Sequence, residues 1–493
     1  MDESANRKNI FYSLLFQTLS LLIGFVIRKL LISKIGVYLI GVNGVYENII
    51  SMLSLTNFGV LSASSFYLYR AFAHKNFEEV VRYYQAFKKL YQYVAVAIAV
   101  LGAVIILKID WIINIEDIGI NYLRLFFLVH LLRVIAVYLV TCPRNALQCD
   151  EKRYYNQKAD IAALIVFGII KAFALIRYKS YIIYLLLSLA EMLSSNAYIY
   201  YCFRKQYKDI DFKTPVNTDS SIRDILSYGK NLAINNINYF INNCTDNLVI
   251  SRICGTVAVG LMSNYYLIVD AVKGLTTQLF SSIEANIIRR ITLVSDNKDE
   301  EAIYSEIMII SFAVASFAII FLYALTDMFI RIYFGDELSM GSDIAFLMSL
   351  NLALTIFQYP SMDTLDAKKL SDKIVIYSTL MMVVNVSTSI YLAYRIGPKG
   401  VLFGTILANI ILLAGQDFTV FKYVFPKCGR LIRTKAFHLF LIGLEYAAVY
   451  YLLPKTGDIF TWILTAFKCF ALFALFMIPV RKQIYSIFRR LQK

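Results

Sequence analysis

The sequence predicts an all-α polytopic membrane protein with about 14 transmembrane helices, in two six-helix lobes plus two C-terminal helices, with both termini in the cytoplasm. Composition, long apolar runs and the distribution of basic residues predict this class. Of 493 residues, 59% are hydrophobic and 17% charged, whereas soluble domains hold about 45–50% apolar and about 25% charged residues. Apolar runs of about twenty residues must be helical in hydrocarbon, because each backbone polar group needs a partner within its own segment.

The spans follow from the apolar runs and are grouped by a polar connection, Arg204–Asp224, which we interpret as a cytoplasmic linker between two lobes. The N-terminal lobe (1–208) is predicted to contain Ile10–Ile32, Val42–Leu68, Leu90–Ile109, Ile118–Thr141, Ala159–Ile176 and Tyr181–Phe203. The C-terminal lobe (209–435) is predicted to contain Ile225–Ile253, Val257–Ala285, Ile303–Leu325, Ile344–Met362, Ile374–Tyr394 and Val401–Phe421. Ala436–Leu453 and Phe460–Val480 follow in 436–493, ahead of a basic tail that either lies along the membrane surface as an amphipathic helix or frays.

The basic residues give an independent test of this topology. With a cytoplasmic N-terminus, most of the 49 lysines and arginines fall in cytoplasmic segments, as the positive-inside rule requires. The predicted external loops hold a minority, namely Lys34, Lys108, Arg177, Lys179, Arg252, Arg331, Arg395, Lys399 and Lys455. An odd number of spans would destroy this asymmetry, so both termini are predicted to be cytoplasmic.

Net charge and cysteine spacing exclude several functions. The formal charge of +15 comes from short loops between apolar runs, so anionic membrane lipids are expected partners and nucleic acid is not. The cysteines form no CxxC pair and the histidines lie far apart, so no disulfide, metal or cofactor is predicted. The chain lacks a P-loop, an HExxH motif and any nucleophile set, and is therefore not predicted to be an enzyme.

A repeated glycine spacing relates the two lobes. Gly36 and Gly41 lie at the start of the second span, and Gly255 and Gly260 lie at the start of the eighth, with the same offset between the members of each pair. Each pair is followed by a polar, aromatic-rich turn, VNGVYEN or MSNYYL. Transporters are often built from repeated bundles that move around a central site.

Polar residues within the spans indicate a cavity in the first lobe. Arg28 continues a polar stripe on the first helix, so a cavity position is favoured over an interfacial one, whereas Lys29 is expected to reach the interface. His130 and Arg133 share a face of the fourth helix, and Arg124 is expected to anchor its outer end. Arg133 lies deep enough to need an acidic partner or an anionic ligand.

The seventh and eighth helices carry the most polar faces. Asn231, Asn235, Asn238, Asn242 and Asp246 recur every three or four residues. Their amides cannot all face lipid, so they line either a water-filled cavity or an interhelical seam, and the carboxylate favours the cavity. On the eighth helix Asp270 and Lys273 are three apart, where they could also neutralise each other.

Three stretches resemble bacterial polysaccharide repeat-unit flippases, including the O-antigen flippases, of the multidrug/oligosaccharidyl-lipid/polysaccharide exporter superfamily. These are IGVYLIGVNGVYENIISMLSLTNFGV with LYRAFA, then TDNLVISRICGTVAVGLMSNYYLIVDAV, then RIGPKGVLFGTILANI. The resemblance extends in order over nearly the whole chain. It implies alternating-access transfer of undecaprenyl-diphosphate-linked oligosaccharides between leaflets of the bacterial inner membrane, for lipopolysaccharide or capsule, alongside polysaccharide polymerase machinery.

The resemblance also suggests roles for the polar residues. Arg28, Arg133 and Lys273 would bind the diphosphate, and Asn231, Asn235, Asn238 and Asn242 would suit sugar hydroxyls. Asp246 and Asp270 would be the sites of proton or sodium coupling.

Three other functions remain open at the level of sequence. A multidrug exporter of the same superfamily would concentrate carboxylates in the cavity to bind cationic drugs. A flippase for the peptidoglycan precursor would need nearly the same chemistry as the repeat-unit flippase. A membrane scaffold without transport would not need so polar a seventh helix.

Overall fold

The helices of the first unit account for most of the predicted N-terminal spans. A computed structural model describes residues 3–54, 60–109, 118–228, 244–293, 297–368, 370–426, 428–481 and 483. Contacts divide the chain into two compact units, Met1–Gly260 and Leu261–Lys493. The helices that begin in the first unit are α1 (Glu3–Ile35), α2 (Val37–Leu53), α3 (Val60–Ala73), α4 (Phe77–Leu107), α5 (Ile120–Cys149), α6 (Arg153–Tyr178), α7 (Tyr181–Gln206), α8 (Asp246–Cys254) and α9 (Thr256–Leu293).

The second unit is built from the remainder of α9 and seven further helices within the described part of the chain. They are α10 (Asn297–Phe334), α11 (Ser342–Ile356), α12 (Tyr359–Ala367), α13 (Val375–Ile396), α14 (Pro398–Tyr423), α15 (Gly429–Leu452) and α16 (Ile459–Met477). All regular structure in the described residues is helical, which confirms the predicted all-α class. The predicted lobe boundaries at 208 and 435 stay predictions.

Ten helices in the described residues are long and apolar enough to cross a membrane. The chain is therefore a multi-pass membrane protein, and the count of 14 and the cytoplasmic termini stay predictions. The second predicted span, Val42–Leu68, falls on two helices, α2 and α3, while much of the seventh lies outside the described residues. Large apolar side chains cover the outer face of helices such as α4, where Tyr93, Val96 and Val100 are all exposed, as expected against lipid.

Helix ends follow local polar chemistry. Asn76 caps α4 by accepting a hydrogen bond from the Glu79 backbone N–H at 3.2 Å. Asp458 caps α16 by accepting from the backbone N–H and hydroxyl of Thr461, and these bonds hold the pKa of the Asp458 carboxyl below its ordinary value. The fourth predicted span ends at Thr141, but α5 continues to Cys149 with Pro143 inside it. The helix continues beyond the apolar run because its final turns form hydrogen bonds with side chains of α6 and α7.

The polar linker after α7 packs onto the first unit. Gln85 of α4 donates to the carbonyl oxygens of Phe212 and Thr214 at 3.2 and 2.7 Å and accepts from the backbone N–H of Val216 at 3.1 Å. The Phe212 ring is buried against Tyr84, 4.8 Å between ring centroids. The segment that sequence treats as a spacer is thus anchored to α4 over these residues.

Candidate functional site

A polar cavity of about 440 Å³ lies within the first unit. We call it the first-unit cavity. Residues of α2, α3, α4 and α5 form its wall: Glu47, Ile50, Ser51, Ser54, Leu61, Tyr91, His130, Arg133, Val134, Val137, Tyr138 and Thr141. Its volume is in the range of small-molecule pockets, and it mixes charge, hydroxyls and aromatic rings.

Arg133 lies near one carboxylate of the cavity wall, that of Glu47. Its Nη2 lies 4.0 Å from Oε1 of Glu47, and the two side chains are 38% and 51% exposed. A pair this long and this exposed contributes at most about 1 kcal/mol. Arg133 was predicted to need an acidic partner or an anionic ligand, and Glu47 is an acidic residue close to it. The Arg133 guanidinium is exposed enough to contact a ligand as well.

Arg28 shares that carboxylate electrostatically. It extends from α1, where its Nη2 donates to the carbonyl oxygen of Gly260 at 3.3 Å. Its charge interacts with Glu47 and with the hydroxyls of Tyr181 and Tyr184. The charge of Glu47 thus interacts with two guanidinium groups, those of Arg133 in the cavity wall and of Arg28 outside it.

A hydrogen-bond network centred on His130 forms one side of the cavity. The ring Nδ1 lies 2.9 Å from the carbonyl oxygen of Phe126, and Nε2 lies 3.0 Å from Oδ1 of Asn43. The hydroxyl of Tyr181 donates to the same Asn43 oxygen at 3.1 Å. The Tyr46 ring meets the imidazole edge-on at 5.4 Å between centroids. The network ties α2 to α5 and α7.

The repeated glycines position α2, which carries Asn43 and Glu47. Gly36 and Gly255 have φ of +97° and +94°, a conformation that side chains disfavour. A Cβ on Gly41 would lie 2.0 Å from the carbonyl oxygen of Thr256, and a Cβ on Gly260 would lie 2.4 Å from that of Val37. The second glycine of each pair, Gly41 and Gly260, therefore lies at a close contact between two backbones, which is possible because neither residue has a side chain.

The other predicted site residues are not gathered at this cavity. Asp246, at the start of α8, is buried. Lys273 and Asp270 lie on α9 in the second unit, Lys273 partly buried and Asp270 exposed. The predicted sugar-binding set lies outside the described residues: Asn231, Asn235, Asn238 and Asn242. Their roles stay predictions.

Sequence reasoning missed three members of the site. Glu47, Asn43 and Tyr181 were not singled out, although the VNGVYEN turn that contains the first two was noted as polar. A carboxylate and an amide four residues apart on a buried helix, at Glu47 and Asn43, were a usable signal. Tyr181 is the first residue of α7, and nothing in the sequence around it indicated a role in the site.

The chain resembles known proteins in sequence and in fold. A family model described as polysaccharide biosynthesis protein matches residues 7–283. No curated protein sequence matches the chain.

Solved membrane transporters share its fold. The lipid II flippase MurJ in an inward closed conformation is 15% identical with a TM-score of 0.68, over 97% of this chain and 99% of that one. An inward-facing multidrug resistance MATE family transporter of the MOP superfamily is 14% identical with a TM-score of 0.66, over 82% and 94%. The MATE transporter ClbM in complex with Rb⁺ is 18% identical with a TM-score of 0.54, over 88% and 96%. The chain is a multi-pass membrane protein with the fold of these transporters, and it belongs to the polysaccharide biosynthesis protein family.

Proposed function

We propose that the chain is a flippase rather than an enzyme. In this proposal it moves undecaprenyl-diphosphate-linked oligosaccharide repeat units from the inner to the outer leaflet of a bacterial cytoplasmic membrane by alternating access. The observation that carries the proposal is a half-exposed arginine, Arg133, in a polar cavity of a polysaccharide biosynthesis family member.

The charge of the site supports an anionic substrate. Arg133 and Arg28 both interact with Glu47, so one negative charge is set against two positive ones. Hydrogen bonds from guanidinium groups to phosphate oxygens are short and strong, and Arg can bind two oxygens at once. A diphosphate would therefore gain contacts here that a neutral lipid would not.

The rest of the cavity wall suits sugars. Ser51, Ser54 and Thr141 contribute hydroxyl groups to the wall, and the buried aromatic residues Tyr91 and Tyr138 form part of it. Carbohydrates bind through such mixtures of hydrogen bonds and aromatic contacts. We also propose that Lys273 and the asparagines between 231 and 242 contribute to diphosphate and sugar binding, and that Asp246 and Asp270 take part in ion coupling.

A multidrug exporter is the alternative in the same superfamily. A cationic drug would need an uncompensated carboxylate in the cavity. Glu47 interacts with two guanidinium groups instead, which favours the anionic substrate. Anionic lipids at the basic loops and a polysaccharide polymerase remain the partners we propose.

Deletion of the gene tests the substrate directly. Lipid-linked saccharides are extracted from the deletion strain, and the leaflet that holds them is assayed. Accumulation of one oligosaccharide-lipid on the cytoplasmic side is the expected result. Accumulation of the peptidoglycan precursor would instead identify a flippase for that lipid, and unchanged lipid pools with increased drug sensitivity would refute flipping altogether.

Substitution of Arg133 tests the site. We expect Arg133→Ala to reduce surface polysaccharide by about tenfold or more, because one charge-assisted contact to phosphate is worth about 1.5–3 kcal/mol. Arg133→Lys should retain part of the activity, since it keeps the charge and loses the planar fork.

Arg124→Ala is the matched control, because Arg124 lies on the same helix and contacts only the carbonyl oxygen of Leu107, at 3.5 Å, among its described hydrogen bonds. Surface polysaccharide is compared with membrane abundance for each variant. A fall in abundance that equals the fall in polysaccharide would show that Arg133 is structural.

A further inference from the structure

We propose that Nε2 of His130 is a proton-binding site, and that its protonation raises the affinity of the first-unit cavity for the anionic part of the substrate. This inference rests on the proposed function and adds to it a specific ligand, a proton, at a specific atom.

The tautomer of the ring is set by its own helix. Nδ1 lies 2.9 Å from the backbone carbonyl oxygen of Phe126, one turn earlier on α5. A carbonyl oxygen can only accept, so Nδ1 carries a hydrogen in either charge state. Any change of protonation is thereby confined to Nε2, the nitrogen that faces Asn43.

The partner of Nε2 can serve both charge states. When the ring is charged, Nε2 carries a hydrogen, and the Asn43 oxygen, 3.0 Å away, can accept it as well as the hydrogen bond from the Tyr181 hydroxyl at 3.1 Å. When the ring is neutral, Nε2 becomes an acceptor, and a half-turn of the Asn43 amide places its NH₂ group toward Nε2. The Asn43 side chain can thus bind Nε2 in both charge states, and the two arrangements differ by one proton and one amide rotation.

The surrounding charges connect this proton to the substrate. The charges that interact with His130 are Glu47 from α2 and Arg133 from its own helix. Tyr46 of α2 meets the ring, Tyr91 of α4 lies in the same cavity wall, and Tyr181 of α7 is connected to the ring through Asn43. From α3 the cavity wall receives Leu61, which does not titrate. Glu47 attracts the imidazolium and Arg133 repels it.

A diphosphate at Arg133 would reverse that balance, because it adds negative charge beside the ring. Linkage then requires that binding of the anion promotes proton uptake, and that proton uptake strengthens binding by the same factor. Among the wall residues given above, His130 is the one whose unperturbed titration falls near neutral pH.

The direct experiment is a nitrogen-15 NMR titration of histidine-labelled protein in lipid bilayers. The chain has three histidines, and comparison with His74→Gln and His130→Gln variants assigns the His130 signals. We expect Nδ1 to stay protonated throughout, Nε2 to gain a proton as the pH falls, and inorganic pyrophosphate to move that transition to higher pH. The proposal would be overturned by a neutral ring that is protonated at Nε2 instead of Nδ1. It would also be overturned if pyrophosphate left the pH of the transition unchanged.

The functional experiment follows flipping of the lipid-linked oligosaccharide from the deletion strain in proteoliposomes across the same pH range. His130→Gln should flip without the wild-type pH dependence, while His74→Gln, at an exposed position, should keep it. Asn43→Asp places a carboxylate against Nε2 and should move the midpoint up by about one pH unit or more.

The outcomes separate the two proposals. An unaltered pH profile in both His130→Gln and Asn43→Asp would refute the proton site and leave the flippase proposal intact. Wild-type protein that fails to flip the oligosaccharide lipid would refute the proposed function, whatever the NMR titration shows.

Discussion

At the scale of single residues, charged side chains inside the apolar helices pair across helices. Lys171 of α6 lies 2.5 Å from Glu191 of α7, and Lys435 of α15 lies 2.5 Å from Asp417 of α14. The sequence alone does not show which of these residues pair. Residues that pair between different helices have no characteristic spacing in the sequence, so only the packed structure identifies them.

The pair between Arg144 and Asp160 gives a testable case. Arg144 donates to both oxygens of Asp160 at 2.7 and 2.9 Å, and the Ser195 hydroxyl donates to the same carboxylate at 2.6 Å. We expect Arg144→Ala to lower the free energy of unfolding by about 1–3 kcal/mol, because it leaves a largely buried carboxylate without its cation. Arg144→Lys should recover only part of this, since Lys lacks the fork.

Thermal unfolding of purified protein in detergent measures both changes, with Arg153→Ala, at an exposed neighbouring position, as control. Asp160→Asn should cost a similar amount, and the double variant should cost less than the sum. An Arg144→Ala variant that unfolds at the wild-type temperature would show that the pair contributes nothing.

At the scale of elements, sequence located the apolar cores of helices better than their ends. The extension of α5 past Thr141 depends on the Arg144 interaction with α6 and α7, and the packing of the linker on α4 depends on Gln85. Hydropathy carries no information on either, because both are polar interactions between distant segments.

The glycine contact between α2 and α9 predicts an asymmetry between two helical glycines. Gly41→Ala would place a methyl group 2.0 Å from the Thr256 carbonyl oxygen, whereas a methyl group on Gly24 of α1 would meet no heavy atom within 4 Å. We expect Gly41→Ala to reduce the membrane abundance and the unfolding temperature sharply. Gly24→Ala should be neutral or stabilising by up to about 1 kcal/mol.

Quantitative immunoblotting of membranes and thermal unfolding measure this pair of variants. Equal abundance and equal unfolding temperature for Gly41→Ala and Gly24→Ala would refute the close backbone approach at Gly41.

At the scale of the whole molecule, the distribution of basic residues predicts the orientation in the membrane. Introduced cysteines at Arg177 and Lys455, in predicted external loops, should react with a membrane-impermeant maleimide in intact cells. Cysteines at Lys208 and Arg433, in predicted cytoplasmic segments, should react only after permeabilisation, because the lipid bilayer excludes the reagent.

The unsubstituted protein controls for its own seven cysteines. Labelling of Lys208→Cys in intact cells would contradict the cytoplasmic linker. If only one of the two cysteines at Arg433 and Lys208 were labelled in intact cells, an odd number of spans would separate these positions. That result would contradict the topology predicted from the distribution of basic residues.

The sequence by itself determined that this protein is an all-α membrane protein, and through its resemblance it identified the family. Both depend on features that are local in the chain: runs of apolar residues, loops rich in lysine and arginine, and recognisable stretches such as VNGVYEN. The tertiary structure alone decided that Glu47 interacts with both Arg28 and Arg133, that Asn43 connects His130 to Tyr181, and that Gly41 meets Gly260. The physical reason is that cavities and ion pairs form between helices far apart in sequence, and their geometry is set by packing rather than by periodicity.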